Sequence, residues 1–310
     1  MRFVIGTRGS KLALWQAEHV SALLKAKGAE TEIKIINTKG DQILNQPLSE
    51  IGSKGLFTEE LELELKAGLI DLAVHSAKDM PSVIPEELEL IAFSEREKVN
   101  DVVLSLNKNL TLKMTVEQDL KIGTSSTRRR AALNHHYPGV HLVDMRGNLQ
   151  TRLRKMEEGQ CDAMILAYAG VHRMDMGQYI VEELSEDLFT PAVGQGALAI
   201  ETAVSLAADK KAFLKSTLND VNTEYCLLAE RSFLKKMEGG CSVPVFALAK
   251  LEGDNLIIKG GVISLDGTRQ IDGIQIGNKK EAVAIGNKLA DEIIAKGGLE
   301  ILEEIKKNRK

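Results

Sequence analysis

The segment RFVIGTRGSKLALWQAEHVSALLKAKG, residues 2–28, decides the fold class. RFVIG is typical of a short strand and TRGS of a turn, and the remainder carries apolar residues at helical spacing up to Gly28. TEIKIINTKG (31–40) then alternates like a second strand. Strands that alternate with helices predict parallel sheets with helices on their faces. We therefore expect an α/β protein.

The same order of elements recurs in residues 121–173. The predicted elements are the strand KIG, the turn TSST, the helix RRRAALNHHYP, the strand VHLVDMRG, the helix NLQTRLRKMEEGQ and the buried strand DAMILAYAG. IGTRGS (5–10) and IGTSST (122–127) both place Gly and Thr after a strand and a hydroxyl residue at a helix start. This shared pattern suggests two related modules.

The chain changes style after Asn222. A helix, EYCLLAERSFLKKMEGG, precedes three strand-like runs that are separated by the hairpin residues EGDN and LDGT. A final helix, EAVAIGNKLADEIIAKGG (281–298), closes this region. The pattern predicts a separate small α+β domain with an antiparallel sheet.

The bulk composition excludes several classes of protein. The 310 residues are 44% hydrophobic and carry a net charge of only −4, which argues against disorder and against a general polyanion-binding surface. No apolar run has the length of a membrane helix, and MRFVIGTRGS lacks a signal pattern, so we expect a cytoplasmic protein. Three cysteines without C-x-x-C spacing argue against disulfides and structural zinc, and we expect no metal ion.

Arginine is concentrated in residues 121–175, which hold seven of the thirteen arginines of the chain. Its planar fork holds a carboxylate or a phosphate through two parallel hydrogen bonds. Arg128 and Arg129 lie at a predicted helix start, where a basic residue is unfavourable unless an anion lies nearby. A solvated basic face that pairs with local glutamates is the alternative. Arg8 and Ser10 form a second such turn, for which simple helix capping by Ser10 is the alternative.

Two further stretches carry groups suited to chemistry. In HSAKDMP (75–81), Asp79 follows an apolar strand at a position where open α/β sheets bind ligands. Its carboxylate could stabilise a developing cation, or it could simply cap the turn and pair with Lys78. In KMEGGCSVPVF (236–246), glycine and proline predict that Cys241 lies on a presented loop and not in a core. The residues alone thus indicate an α/β protein that binds a polyanionic small ligand.

Eight stretches, in this order, resemble the porphobilinogen deaminase (hydroxymethylbilane synthase) family. They are TRGSKLALWQ, GSKGLF, AVHSAKDMP, GTSSTRRR, MRGNLQTRL, ILAYAG, PAVGQGA and EGGCSVP. The match runs from residue 4 to at least residue 247, and the last sixty residues fit the family's third domain.

The resemblance implies a transferase that condenses four porphobilinogen molecules stepwise, with loss of ammonia, into hydroxymethylbilane. It implies a dipyrromethane cofactor bound as a thioether to Cys241 and a catalytic role for Asp79, which would stabilise the cationic azafulvene left by deamination. It also implies a monomer with two periplasmic-binding-protein-like domains, mainly parallel in their sheets, and a third domain with a three-stranded antiparallel sheet. The implied bounds are 1–97 with 196–216, then 98–195, then 217–310.

The resemblance also assigns binding residues. The residues expected to hold the cofactor are Ser76, Lys78, Thr124, Ser126, Arg128, Arg129, Arg146 and Asn148. The residues expected to hold the carboxylates of the substrate are Arg8, Ser10, Gln16, Lys54, Arg152 and Arg173. The loop 40–57 matches the family's mobile active-site flap, and Arg130 and Arg154 are read as surface residues.

Three departures from the family pattern stand beside these assignments. Ala77 replaces a usual Met, Thr127 replaces a usual Leu, and EREKVNDVV (95–103) replaces an acidic-Pro-Arg-Asp run at the expected domain crossing. None of them removes a residue with an assigned chemical role. Two rival functions remain: a non-catalytic anion-binding protein on the same fold, and nucleic-acid binding through Arg128–Arg130. The negative net charge and the 4% aromatic content argue against the latter.

Overall fold

The protein is represented by a computed structural model. The residues that it describes are 1–38, 58–238 and 243–307. The predicted flap 40–57, which includes Lys54, and the predicted cofactor attachment site Cys241 lie outside the described residues. No helix within the described ranges is long and apolar enough to cross a membrane.

The chain divides into two compact units, each of which is discontinuous in sequence. The first joins Met1–Glu97 to Gly196–Tyr225, and the second joins Lys98–Gln195 to Cys226–Lys310. The second unit thus contains most of what the sequence analysis assigned to domains 2 and 3. The division into three domains stays a prediction.

The first unit is built on a five-stranded mixed sheet. Its strands are β1 Arg2–Thr7, β2 Glu30–Ile35, β3 Leu72–Ser76, β4 Leu88–Phe93 and β10 Leu198–Ala203. Its helices are α1 Lys11–Ala26, α2 Glu59–Lys66 and α7 Ala208–Leu218. The strand order is β2-β1-β3-β10-β4, with β1 parallel to β2 and β3, and β10 antiparallel to β3 and β4. Four of the five strands therefore run in one direction.

Helices cover both faces of this sheet, because successive residues of a strand point to opposite faces. On one face, Ile5 and Val74 lie in a core cluster with apolar residues of α1. On the other face, Ala73 lies in a cluster with Leu61 and Leu65 of α2. β3 is consequently buried on both sides, which fixes the strand that leads to Asp79.

The second unit contains a sheet of the same design. Its strands are β5 Asp101–Ser105, β6 Lys121–Gly123, β7 His141–Val143, β8 Ala163–Ala167 and β9 Ile180–Glu183. The associated helices are α3 Leu112–Glu117, α4 Thr127–His136, α5 Leu149–Glu157 and α6 Tyr168–Arg173. The order is β7-β6-β8-β5-β9, with β6 parallel to β7 and β8, and β5 antiparallel to β8 and β9. The prediction of two related α/β modules is confirmed.

One strand in each sheet runs against the other four, which the alternation of strands and helices did not predict. β5 follows the point where the chain enters the second unit, and β10 follows the point where it returns to the first. The parallel rule applies to strands joined by a helical crossover within one sheet. A strand that enters from another unit has no such connection, so its direction is not set by that rule.

The C-terminal region forms the predicted small α+β structure. Its strands are β11 Val245–Glu252, β12 Asn255–Ile263 and β13 Gln270–Asn278, paired antiparallel in that order. Its helices are α8 Val221–Lys236, α9 Ala282–Ala295 and α10 Gly298–Lys307. Phe246 and Ile263 lie in the same core cluster as Val103 and Leu133 of the second sheet and its helix α4. This shared core explains why the two regions form one compact unit.

Candidate active site

Asp79 lies on a short, firmly held turn at the end of β3. Residues Ala77–Asp79 form one turn of 3-10 helix, whose first N–H donates to the carbonyl oxygen of Ala197 at 3.0 Å. The side chains of Ala77 and Met80, on either side of the pair Lys78–Asp79, are buried. Asp79 itself is exposed and Lys78 is partly exposed. The turn therefore presents a carboxylate to solvent from an anchored backbone.

The other predicted residues of the first unit lie at the same edge of its sheet. Gln16 of α1 is buried and donates from Nε2 to the hydroxyl oxygen of Ser76 at 2.9 Å. Ser10 accepts from the backbone N–H of Ala13 at 3.3 Å and caps α1, so the capping alternative describes its contact. Arg8 follows β1, whose carboxyl end lies beside that of the parallel strand β3. Carboxyl ends of neighbouring parallel strands are where open α/β sheets bind ligands.

In the second unit, two helix starts carry predicted binding residues. Ser126 accepts from the N–H of Arg129 at 3.4 Å and caps α4, while Thr124 accepts from the N–H of Ser126 at 3.3 Å. Asn148 caps α5 by accepting from the N–H of Thr151 at 2.9 Å.

The turn before Asn148 requires its glycine. Gly147 has a φ of +111°, and a Cβ there would come within 2.7 Å of the Thr151 side chain. Gly147 also accepts from Arg152 Nε at 2.7 Å through its carbonyl oxygen. The tight turn thus brings Arg146, Asn148 and Arg152, three of the predicted binding residues, to one helix start.

The two arginines at the start of α4 are buried around one carboxylate. Arg128 Nη2 donates to Asp101 Oδ2 at 2.6 Å, and Arg129 Nη2 donates to Asp101 Oδ1 at 2.8 Å. Gln195 Nε2 donates to the same Oδ1 at 2.9 Å, and Arg128 Nη1 donates to the carbonyl oxygen of Thr190 at 2.9 Å. The Asp101 side chain is 0% exposed and the two arginine side chains are 6% and 8% exposed. The carboxylate of Asp101 therefore supplies part of the negative charge that was expected at the start of α4.

The charges of this buried cluster shift the pKa of Asp101. Burial acts to raise that pKa, but the attraction of Arg128 and Arg129 outweighs burial and holds it well below the ordinary value of 3.8. Burial lowers the pKa of Arg128, and Asp101 opposes that shift. Two guanidinium groups against one carboxylate leave a net positive charge. Arg129 Nε is buried and has no hydrogen-bond partner among the described residues, so its N–H group is a donor that the cluster leaves unpaired.

The remaining arginines of the second unit differ in their surroundings. Arg146 Nη1 is buried and, within the described part of the chain, has no hydrogen-bond partner. Arg173 is the last residue of α6. Arg130, partly exposed, donates to Asp144 at 3.3 Å, and Arg154 pairs with the exposed Glu158, the residue that follows α5. Arg130 and Arg154 therefore have local acidic partners at the surface.

The buried charged or polar residues that the sequence analysis missed include Asp101, His75 and Glu201. Asp101 begins the apolar strand DVVLS, which in the sequence forms part of the altered crossing EREKVNDVV. An acidic residue at the start of a buried strand requires a buried cation, and Arg128–Arg129 was the obvious candidate. That signal was present in the sequence. The pairing of His75 with Glu201 had no comparable signal, because both residues occur singly in apolar strands.

Two family models match almost the whole chain. Residues 3–211 match "Porphobilinogen deaminase, dipyromethane cofactor binding domain", and residues 224–295 match "Porphobilinogen deaminase, C-terminal domain". The chain belongs to the porphobilinogen deaminase family. Porphobilinogen deaminase of Desulfosudis oleivorans is 51% identical over 100% of this chain and 99% of its own, and that of Cytophaga hutchinsonii is 56% identical over 98% and 96%.

Solved structures of low sequence identity also align with the chain. The VFT2 domain of Bordetella pertussis BvgS is 14% identical, covers 74% of this chain and 92% of its own, and has a TM-score of 0.43. A second substrate-binding domain of a putative amino acid ABC transporter from Streptococcus pneumoniae is 15% identical over 69% and 91%, with a TM-score of 0.44. The fold assignment rests on the two sheet topologies described above.

Membership of the porphobilinogen deaminase family confirms the expected activity class and cofactor. The chain is a transferase of tetrapyrrole biosynthesis with hydroxymethylbilane synthase activity, and its first family model is the dipyrromethane cofactor-binding domain. The rival reading as a non-catalytic anion-binding protein is not favoured.

Proposed function

We propose that this chain condenses porphobilinogen units one at a time, with Asp79 as the catalytic residue and Cys241 as the attachment site of the dipyrromethane. The observation that carries the proposal is the exposed carboxylate of Asp79 on a turn whose flanking residues are buried. A catalytic group is most effective when its position is fixed before the substrate arrives. Family membership supplies the reaction to which that group contributes.

Asp79 acts on the cation that forms when ammonia leaves the substrate. A carboxylate held by a fixed backbone stabilises this developing positive charge, and it accepts hydrogen bonds from pyrrole N–H groups. It also receives or returns a proton during carbon–carbon bond formation. Lys78, its neighbour on the same turn, interacts with substrate or cofactor carboxylates.

The arginines hold the acetate and propionate groups of the pyrroles. Two of these arginines suit such carboxylates, because Arg129 and Arg146 each have a buried side-chain nitrogen without a partner among the described residues. Buried donors of this kind are costly unless a ligand accepts from them. The residues proposed to hold the dipyrromethane are Ser76, Lys78, Thr124, Ser126, Arg128, Arg129, Arg146 and Asn148. The residues proposed to hold substrate are Arg8, Ser10, Gln16, Lys54, Arg152 and Arg173.

Cys241 is the best candidate for the thioether because the other two cysteines are buried. Cys161 is 3% exposed and Cys226 is 7% exposed. Burial raises the pKa of the Cys161 thiol to about 11, which leaves little reactive thiolate at neutral pH. When bound, the dipyrromethane supplies a covalent primer to which the first substrate pyrrole is joined. The role of the protein is to hold that primer and to bring each substrate to its end.

The chain is further proposed to work as a monomer in the cytoplasm, without a nucleic-acid partner. Its net charge of −4 and its low aromatic content support the last point. Light scattering of the purified protein tests the monomer, and mixing it with DNA at low and high salt tests the absence of nucleic-acid binding.

The direct test of the proposed function is turnover of porphobilinogen. Purified protein is incubated with porphobilinogen, and ammonia and hydroxymethylbilane are measured together. The proposal predicts four ammonia molecules for each hydroxymethylbilane released. Binding of porphobilinogen without ammonia release, in protein that carries the cofactor, would contradict it.

A further inference from the structure

The first sheet contains a buried pair of one imidazole and one carboxyl group to which the proposed function gives no role. His75 Nε2 lies 3.2 Å from Glu201 Oε2, and the two side chains are 5% and 0% exposed. His75 is on β3 and Glu201 is on the antiparallel neighbour β10. Both point to the face that packs on α2, because Ala73 and Ala203, two residues away on their own strands, lie in that core cluster.

Burying two such polar side chains in a core costs free energy. Neither the oxygens of Glu201 nor Nε2 of His75 makes a well-formed hydrogen bond with any described residue, so the close contact at 3.2 Å is what each group has to offset its burial. Replacing a buried ionic pair with apolar side chains of similar volume often leaves a protein as stable or more stable. Stability alone therefore does not explain why two polar groups occupy this position.

The location of the pair suggests what it does. His75 precedes Ser76, the last residue of β3, and the turn that carries Lys78 and Asp79 follows at once. On the opposite face of the same strand end, Gln16 Nε2 donates to Ser76 Oγ at 2.9 Å. The strand end is thus held by side chains on both faces, directly before the turn.

We propose that His75, held by Glu201, is a positioning residue for the condensation reaction. The pair fixes the end of β3 from the α2 face, as Gln16 does from the α1 face, so that the turn holds the Asp79 carboxylate in one place. This inference rests on the proposed function, in which Asp79 is catalytic. A displacement of about 1 Å in such a group lowers a rate by up to about 100-fold.

The first test replaces both members with apolar residues, as His75→Leu/Glu201→Leu. Because both polar side chains are removed together, neither is left buried without the other, and the variant is expected to unfold at a temperature no lower than that of the native chain. We expect kcat to fall at least about tenfold while KM changes less than about twofold, since the arginines proposed to hold substrate, Arg8, Arg152 and Arg173, lie outside β3 and β10. A folded, cofactor-loaded double variant whose kcat stays within about twofold of the native value would overturn the proposal.

A second pair of variants keeps the test informative if the double variant does not fold. The Nε2 atom of His75 faces Glu201. In His75→Gln, the side-chain amide reaches that position and can donate to Glu201, whereas the shorter side chain of His75→Asn ends too early. Positioning predicts that the Gln variant retains most of kcat and that the Asn variant loses at least about tenfold, with both similarly stable. Equal kcat values for the two variants would overturn the proposal.

Ser21→Ala is the matched control. It removes a partly buried hydrogen bond of the same unit, between Ser21 Oγ and Thr31 Oγ1 at 2.6 Å, which joins α1 to β2 away from the turn. It is expected to keep native kcat and to carry the cofactor. If the native chain and this control do not release ammonia from porphobilinogen, the proposed function fails. If they do and the His75 variants match them, only the positioning inference fails.

Discussion

The two five-stranded sheets share a strand order but bury different charges on the corresponding strand. In the first unit, β10 carries Glu201, which contacts His75. In the second unit, the equivalent strand β5 carries Asp101, which binds Arg128 and Arg129. Each acid lies on the antiparallel strand that follows a crossing between units. The cluster of the first unit pairs one acid with one imidazole. The cluster of the second unit places two guanidinium groups around one carboxylate.

The strand ends of the two sheets also correspond. Thr7 and Thr124 are buried at the ends of β1 and β6, and Ser10 and Ser126 cap the helices that follow. The end of β3 continues into a turn with the exposed acid Asp79, whereas the end of β8 continues into the sequence YAG without an acid. The same backbone design therefore serves two tasks. The first unit presents the exposed carboxylate that we propose to be catalytic, and the second unit collects positive charge that would suit an anionic chain of pyrroles.

The largest effect is expected at the residue by which the units differ most. Asp79→Asn removes the carboxylate that is proposed to face the developing cation, and kcat should fall by roughly 10²- to 10³-fold. Because Asp79 is exposed, the unfolding temperature should be unchanged. Ammonia release from porphobilinogen measures the first and a thermal melt the second. Glu86→Gln, which removes an exposed acid from the same unit, is the control and should keep native kcat. Near-native turnover in Asp79→Asn would end the assignment of the catalytic role.

The next effect concerns stability and the buried cluster of the second unit. Asp101→Asn leaves two buried guanidinium groups without a charged partner and should lower the free energy of unfolding by about 3–5 kcal/mol. Urea titration measures this loss. Asp144→Asn is the matched control, because Asp144 pairs with Arg130 at 3.3 Å while 71% exposed, and it should cost less than about 1 kcal/mol. Equal losses in the two variants would show that burial makes no difference between the ion pairs of Asp101 and that of Asp144.

The same cluster predicts how stability depends on pH. The pKa of Asp101 is held below its ordinary value of 3.8 in the folded chain, so this group stabilises the fold at pH values above 3.8. That contribution is lost as the pH falls below 3.8 towards the folded pKa. The free energy of unfolding of the native chain should therefore decrease with a steeper slope below about pH 4 than that of Asp101→Asn. Parallel slopes in urea titrations at several pH values would contradict this.

The smallest effects should be equal in the two units. Ser10 and Ser126 accept from backbone N–H groups at 3.3 Å and 3.4 Å at equivalent helix starts. Replacing either with Ala should lower the free energy of unfolding by about 1 kcal/mol. Urea titration of the two variants measures the equivalence. A cap that costs nothing in one unit and the full amount in the other would show that the corresponding helix starts are not equivalent.

Much of the fold could be predicted because its signals are local. The strand-turn-helix pattern of residues 2–28, repeated from residue 121, gave the α/β class, and the hairpin residues after Asn222 gave the antiparallel sheet. From the apolar run before it and the proline after it, Asp79 could be predicted to lie just beyond the end of a strand. These features depend on periodicity and turn chemistry within a few residues.

The buried clusters could not be predicted in the same way because they depend on tertiary contacts. Asp101 and Arg128 are 27 residues apart in the chain, and His75 and Glu201 meet only because β10 pairs with β3. A sequence shows that Arg128 and Arg129 are basic residues at a helix start. An acid at the start of the apolar strand DVVLS signals that Asp101 needs a buried cation, but the contact itself depends on how the strands pair.

The central claim is that this chain carries a covalent pyrrole primer on Cys241 and extends it. The most direct measurement is the intact mass of the purified protein under denaturing conditions, followed by peptide mapping, before and after incubation with porphobilinogen. The account predicts a mass above that of the sequence by one dipyrromethane, on the peptide that contains Cys241, and no such adduct in Cys241→Ser. An adduct on Cys161 or Cys226, or a chain that gains no adduct after incubation, would contradict it.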